Sequence, residues 1–212
     1  MVVENRFFRR KRTRRTLKKK KGRAYMNMGN SIIDFNEKKG FICDMDGVIY
    51  HGNQILPGVP EFIQWLHDEK KEYLFLTNNS GYTPRELNQK LARMGLDVPE
   101  EHFYTSALAT ACRALVAPIE MATGTQAYFC GKPNPLMMRT GLNMLGCHSA
   151  EAVMVGDRMD TDVISGMESG MSTVLVLSGC STKDTLKTYA YRPTMVLNGV
   201  GDIAAMANSK EK

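Results

Sequence analysis

Phe41-Ile42-Cys43-Asp44-Met45-Asp46-Gly47-Val48-Ile49-Tyr50 decides how the rest of the chain is read. An apolar run, Phe41 to Cys43, stops at two carboxylates one residue apart, and a glycine and a second apolar run follow. This is the pattern of a short buried strand that ends at a polar carboxyl edge. On an extended chain residues i and i+2 point the same way, so the spacing predicts that Asp44 and Asp46 converge on one small volume. Two like charges held that close need a counter-ion. Magnesium, a hard cation that takes oxygen ligands and keeps some of its waters, suits such a pair.

Downstream, apolar strands alternate with helical stretches. Strands are predicted over 40–44, 73–76, 103–104, 126–130, 152–155 and 173–177, with a weaker edge strand over 194–197. Helices are predicted over 57–70 after a loop, 83–94, 106–122 (broken or kinked at Pro118), 135–145 and 161–169. Thr83-Pro84-Arg85-Glu86 carries a capping threonine, a proline at the first helical position and an acid three residues after the cap. Continuous apolar strands alternating with helices imply a parallel sheet covered on both faces, an α/β fold. Ligands of such sheets bind beyond the carboxyl ends of the strands. The polar residues that interrupt the pattern fall at those ends: Asp44 and Asp46, then Thr77 and Asn78, then Lys132, then Asp157. Carboxylates for a divalent cation, with a lysine and a hydroxyl for phosphate oxygens, are the groups phosphoryl transfer requires. In that chemistry Asp44 is the nucleophile and Asp46 the acid and base, while Thr77 and Lys132 stabilise charge on the transferring group.

Asp44-Met45-Asp46-Gly47-Val48, Leu76-Thr77-Asn78-Asn79, Lys132-Pro133 and Gly156-Asp157-Arg158-Met159-Asp160-Thr161-Asp162 resemble, in order, the four motifs of the haloacid dehalogenase superfamily of phosphatases. Leu56-Pro57-Gly58, Thr105-Ser106-Ala107, Gly131-Lys132-Pro133 and Leu177-Ser178-Gly179 resemble its NagD-like subfamily. The resemblance covers about Gly40 to Asp202. It implies a Rossmann-like core and a Mg2+-dependent phosphomonoester hydrolase that works through an aspartyl phosphate, on nucleoside monophosphates or other small phosphomonoesters. By the same resemblance Asp44, Asp157 and the backbone carbonyl of Asp46 are metal ligands. Asp162 supports the metal from behind, and Thr77, Asn78 and Lys132 hold phosphate. Asp160 falls at a position the family leaves variable and is read as solvated. The subfamily carries a domain-sized cap between its Thr-Ser-Ala and Gly-Lys-Pro stretches, and only Leu108 to Gly131 lies between them here. The expected junction is at 109–113, where a fused helix would leave apolar surface uncovered.

Composition sets the rest. The chain has 212 residues, 43% hydrophobic and 24% charged, ordinary for a globular protein. It has no apolar run long enough for a membrane helix, so no membrane partner is expected. The five cysteines have no C-x-x-C pair; Cys43 and Cys130 lie in apolar runs and read as buried thiols of a reducing cytoplasm. The formal net charge of +6 is unevenly placed. Residues 1 to 25 hold twelve Lys and Arg against Glu4 alone, which leaves the remaining chain at −5. Three domains of behaviour follow: a basic arm over 1–30 too charged to bury a core, a hydrolase core over 36–207 and a tail over 208–212. The arm has three readings: a nucleic-acid contact through residues 6–23, a transit peptide, or sequence upstream of a true start at Met26 or Met28. A competing view of the whole chain makes it a catalytically weak scaffold whose basic arm carries the function. Oligomeric state is not legible. Deleting residues 1–27 is expected to leave the melting temperature within a few degrees, as when no core contact is lost. Salt-sensitive retention on immobilised RNA or DNA by the full chain, absent from the truncated one, would mark the arm as a nucleic-acid contact.

Overall fold

The computed structural model describes residues 33–79, 81–105, 110–128 and 131–209. The basic arm, Cys130 and the last three residues lie outside them. Among the described residues the first core side chains are Ile33 and Phe35, both buried.

Six parallel strands form one sheet in the order β5-β4-β1-β6-β7-β8. They are β1 (Gly40–Cys43), β4 (Glu72–Thr77), β5 (Phe103–Thr105), β6 (Ala152–Gly156), β7 (Ser172–Val176) and β8 (Met195–Leu197). β1 is central, pairing with β4 through Gly40–Glu72 to Cys43–Phe75 and with β6 through Gly40–Ala152 to Cys43–Val155. Every residue of β1 is buried. Alternation sends Phe41 and Cys43 into one core and Ile42 into another on the opposite face. Burial pushes the Cys43 thiol well above its usual range, which makes it inert packing.

The first core is covered by α1 (Val59–Asp68), α2 (Pro84–Arg93) and α7 (Gly201–Ser209), and the second by α4 (Pro135–Leu145). In α1 the apolar positions Val59, Phe62, Ile63 and Leu66 recur at helical spacing and are all buried. The Phe41 ring meets Trp65 edge-on at 5.4 Å, tying α1 to the central strand. α2 starts where predicted: the Thr83 hydroxyl accepts from the Glu86 N–H, and the Glu86 carboxylate accepts from the Thr83 N–H. α4 is capped by Asn134 and stopped by Gly146 at φ 61°. A third, smaller core joins Met159, Val163, Leu175, Leu186 and Val196; Leu186 comes from α6 (Thr185–Thr188), and α5 (Ile164–Glu168) lies against β7. No helix among the described residues is long and apolar enough to cross a membrane.

Four local features depart from the sequence reading. A two-residue hairpin, β2 (Tyr50–His51) and β3 (Gln54–Ile55), occupies the second half of the opening motif. The helix predicted from Thr161 starts earlier, as a π-helical turn over Met159–Val163 that passes into α5. The strand predicted over 126–130 does not form across 126–128, where the chain is exposed coil. There the Ala127 N–H donates to the Glu120 carboxylate instead of to a neighbouring strand. A short apolar run without an adjacent backbone ladder or a covering layer has nothing to make it a strand. Finally, α3 (Thr110–Thr123) keeps Pro118 in its interior, and its last turns leave Ile119 61% and Met121 87% exposed.

Gly166 of α5 lies so close to the sheet that a Cβ there would be 2.6 Å from Thr173 Cγ2 and 2.7 Å from Met154 Cβ. At Gly141 of α4 a Cβ would meet the mobile end of Ile42 at 3.0 Å. Gly166→Ala is therefore expected to cost about 1–3 kcal/mol and lower the melting temperature by several degrees. In Gly141→Ala the gain in helix propensity, up to about 1 kcal/mol, offsets the tighter contact. Thermal denaturation of the two variants in parallel checks both.

Candidate active site

The site stands at the carboxyl edge of β1, β4 and β6. Asp44 leaves the end of β1, and its N–H still donates to the Val155 carbonyl of β6 at 2.8 Å, which fixes its backbone against the neighbouring strand. Asp157 immediately follows β6, and the π-helical turn then carries Asp162 back beneath the same edge. The turn is held from within: the Asp162 carboxylate accepts from the Arg158 N–H at 3.0 Å, and its backbone carbonyl accepts from the Ser165 hydroxyl at 3.0 Å. Only glycine fits opposite it, since a Cβ at Gly156 would sit 2.1 Å from the Asp162 Cβ.

Lys132 is the charge that joins these acids. Its ammonium donates to Asp44 Oδ1 at 2.6 Å and to Asp162 Oδ1 at 2.7 Å, and its side chain is 3% exposed. Asn78, just past the end of β4, positions this lysine. Its amide oxygen accepts from the Lys132 N–H at 2.8 Å, and its amide NH2 donates to the Lys132 carbonyl at 2.9 Å. Both polar ends of the Asn78 side chain are thus spent on the Lys132 backbone. Thr77 is buried; its hydroxyl accepts from the Asn79 N–H at 3.0 Å, and its own proton remains available to donate.

Asp157 Oδ2 accepts a short bond, 2.6 Å, from the Cys180 N–H, while Asp157 Oδ1 is buried with no hydrogen-bond partner. Gly179 makes room, because a Cβ there would lie 2.1 Å from Asp157 Oδ2. Ser178 donates to the Gly47 carbonyl at 2.7 Å, locking the 178–180 loop to the opening motif. These roles of Ser178, Gly179 and Cys180 were not assigned from sequence. The stretch Leu177-Ser178-Gly179 stood out there only as a resemblance, since a backbone donor leaves no mark on residue type.

Burial raises the pKa of Asp44, and Lys132 opposes the shift. It likewise raises Asp157, and pushes Asp162 up to about 6. Burial works against the Lys132 ammonium too, but the charges of Asp162 and Asp44 outweigh it and hold the lysine protonated. The one ammonium is thus paired with Asp44 and Asp162, and Asp157 adds a third carboxylate with no cation in contact. Oxygens of Asp44, Asp157 and Asp162 lie within 4.8 Å of one another, a grouping able to hold a metal ion. The orphaned Asp157 oxygen and the excess negative charge fit a hard divalent cation such as Mg2+. Asp162 has both oxygens engaged by Lys132 and Arg158, so it braces the group, whereas Asp157 offers a bare oxygen to an ion.

Two expectations are corrected. The Asp46 side chain does not converge with Asp44: the extended strand stops at Cys43, and Asp46 is 71% exposed with His51 Nδ1 3.7 Å from its Oδ1. The twist after the strand destroys the i, i+2 alignment, and a backbone bridge between Asp46 and Tyr50 turns the chain into the hairpin. Asp160 is not simply solvated. It forms a two-point pair with Arg158, at 3.1 and 2.8 Å, whose hydrogen bonds hold its carboxyl below the usual range. A cleft of about 730 Å3 lies beside the site, bordered by Val48 and Ser178, and contains none of the three carboxylates. The carboxylates stand at the strand ends and not in that hollow.

Comparison with known proteins agrees with this arrangement. A haloacid dehalogenase-like hydrolase model matches residues 41–144, and a HAD-hydrolase-like model matches residues 129–203. A dihydroxyacetone phosphatase of Corynebacterium glutamicum is 34% identical over 247 residues, covering 77% of this chain and 90% of that protein. Because 77% of 212 residues is about 163, about 84 positions of that alignment have no counterpart here. The ribonucleotide monophosphatase NagD of Escherichia coli is 28% identical over 244 residues, covering 78% of this chain and 98% of NagD. Its solved structure superposes with a TM-score of 0.73. A 4-nitrophenylphosphatase from Thermotoga maritima superposes at 0.72, with 25% identity, covering 81% of this chain and 98% of that one. With its parallel sheet, its acids at the strand ends and these relatives, the chain belongs to the haloacid dehalogenase-like hydrolases and, within them, to the NagD-like phosphatases.

Proposed function

We propose that this phosphatase hydrolyses small phosphomonoesters with Mg2+ through an aspartyl phosphate formed on Asp44. The observation that carries the reading is the buried group of Asp44, Asp157 and Asp162 around a single lysine, with one carboxylate oxygen left without a partner. Asp44, Asp157 and the Asp46 carbonyl would hold the ion, which when bound neutralises the acids and draws charge from the phosphoryl oxygens.

The protein's own groups divide the rest. The Asp44 carboxylate attacks phosphorus as the bond from phosphorus to the ester oxygen breaks. Asp46, exposed at the rim, donates a proton to the departing oxygen and afterwards takes one from the water that cleaves the acyl phosphate. That second step returns the Asp44 carboxylate and releases inorganic phosphate. Lys132 keeps a positive charge beside the transferring group, and the Thr77 hydroxyl donates to one of its oxygens. Asn78 acts through Lys132, whose backbone it clamps. The positions of the relatives that this chain lacks are read here as the cap, so the rim above Asp44 stays open to leaving groups of varied size. The names of the relatives point to small substrates, among them nucleoside monophosphates.

Asp44→Asn keeps the shape and removes the nucleophilic charge. Turnover of 4-nitrophenyl phosphate and of nucleoside monophosphates should fall by about a thousandfold or more, and chelation should abolish it in the unsubstituted protein. Activity that survives either treatment would sink the mechanism. Asn78→Ala leaves the Lys132 backbone unclamped. It should lower kcat about tenfold or more with little change in KM, because a misplaced Lys132 weakens transition-state contacts first. Steady-state kinetics on one substrate reads the split.

A further inference from the structure

The hairpin and α2 enclose a second hollow, of about 310 Å3, lined by Asn53, Tyr82, Glu86, Gln89, Lys90 and Arg93. Its chemistry differs from that of the acidic centre. Lys90 and Arg93 bring two positive charges, and neither has a hydrogen bond or ion pair to a carboxylate among the described residues. Asn53, Gln89 and Tyr82 add uncharged hydrogen-bond donors. Glu86 is the one acid of the lining; its Oε2 accepts from both the N–H and the hydroxyl of Thr83, and against the two cations it leaves the lining with a net positive charge.

Lys90 is also pre-positioned. Its ammonium lies 3.9 Å from the centre of the Tyr50 ring and 5.4 Å from that of Tyr82. Cation–π contacts of this kind restrain a flexible side chain without neutralising it. The two rings come from segments that leave the active centre. Tyr50 shares a backbone bridge with Asp46, and Tyr82 follows the loop that begins at Thr77 and Asn78. The Tyr50 carbonyl accepts from the Gly47 N–H at 2.8 Å and its N–H donates to the Met45 carbonyl at 3.2 Å, so its backbone is fastened to both neighbours of Asp46. Through the Tyr50 ring, Lys90 is thus tied to the segment that carries Asp46.

We propose that this hollow binds a second anionic group, a phosphate or a carboxylate, on the leaving-group portion of the substrate, with Lys90 and Arg93 as specificity-determining residues. The proposal rests on the phosphomonoesterase reading above. It makes the preferred substrates phosphomonoesters that carry a further negative charge at a distance. Such a contact supplies remote binding energy that helps align the reacting phosphoryl group.

The test uses matched pairs on the full chain with Mg2+: phenyl phosphate against 4-carboxyphenyl phosphate, and fructose 6-phosphate against fructose 1,6-bisphosphate. The expected result is a higher kcat/KM for the doubly anionic member of at least one pair, by about tenfold or more. Lys90→Met and Arg93→Met should each reduce that ratio severalfold, and Lys90→Arg should restore part of it. A ratio near one, or a ratio that the two Met variants leave unchanged while both members lose activity, overturns the proposal. Calorimetry on Asp44→Asn with fructose 6-phosphate and fructose 1,6-bisphosphate needs no turnover. Tighter binding of the bisphosphate, lost in Lys90→Met/Arg93→Met, supports the hollow even where no member of either pair is hydrolysed, an outcome that counts against the reaction alone. Equal binding of the two overturns the hollow whatever the activity.

Discussion

A buried ammonium shared between two buried carboxylates sets the terms for everything around it. Lys132 is charged in a place where charge is expensive, and only the proximity of Asp44 and Asp162 makes that tolerable. The acids are tolerable there only because of Lys132. The scaffold meets this mutual dependence with rigid elements. β1 and β6 hold Asp44 through its own N–H, Asn78 grips Lys132 from both sides, and a π-helical turn lifts Asp162 into line. Each grip ends on main-chain atoms, which fixes the positions from which the lysine and acid side chains reach one another. Removing Lys132 would leave two buried acids without their cation, the kind of loss that typically costs about 3–5 kcal/mol.

The sheet was legible because its signal is simple. Runs such as Tyr73 to Leu76 and Ala152 to Val155 are apolar on every residue, which only a strand buried on both faces requires. The same signal misled over 126–128, because an apolar run records what a segment tolerates and not whether a neighbouring strand is there to pair with it. Asp44 and Asp157 were legible because each follows such a run at its carboxyl end, whereas Asp162 was reached only through the resemblance of its motif. What sequence could not deliver was direction. Asp44 and Asp46 look equivalent in the string, yet one turns inward beside Lys132 and the other outward beside His51, since the strand ends at Cys43, before either of them. The clamp by Asn78 and the N–H of Cys180 on Asp157 were hidden for a related reason: both involve main-chain atoms, which every residue carries.

The segment from Thr110 to Tyr128 carries the marks of a chain that has lost company. A proline sits inside a helix, Met121 and Tyr128 are largely exposed, and Ala127 donates to the Glu120 carboxylate instead of to a neighbouring strand. None of this reaches the charged centre, because the six strands that define its edge are complete without the segment. The acids and Lys132 gather where β1, β4 and β6 end, apart from the hairpin and α2, where the second hollow lies.

The position of β1 between β4 and β6 has a consequence for how the molecule is made. Gly40 pairs on one side with Glu72 and on the other with Ala152, so the first strand synthesised waits for a partner that is translated much later. Until then its second edge is bare and its apolar face on that side lacks a lid, the kind of intermediate that seeks strands from other molecules. Non-local pairing of this sort is slow to form. Asp157 and Asp162 arrive with the same late segment, so no ion or phosphate can lend its binding energy to the half-built sheet. Ligands can then protect the finished fold but cannot hasten it, and the yield of soluble protein will depend on the interval between the emergence of residue 43 and that of residue 156.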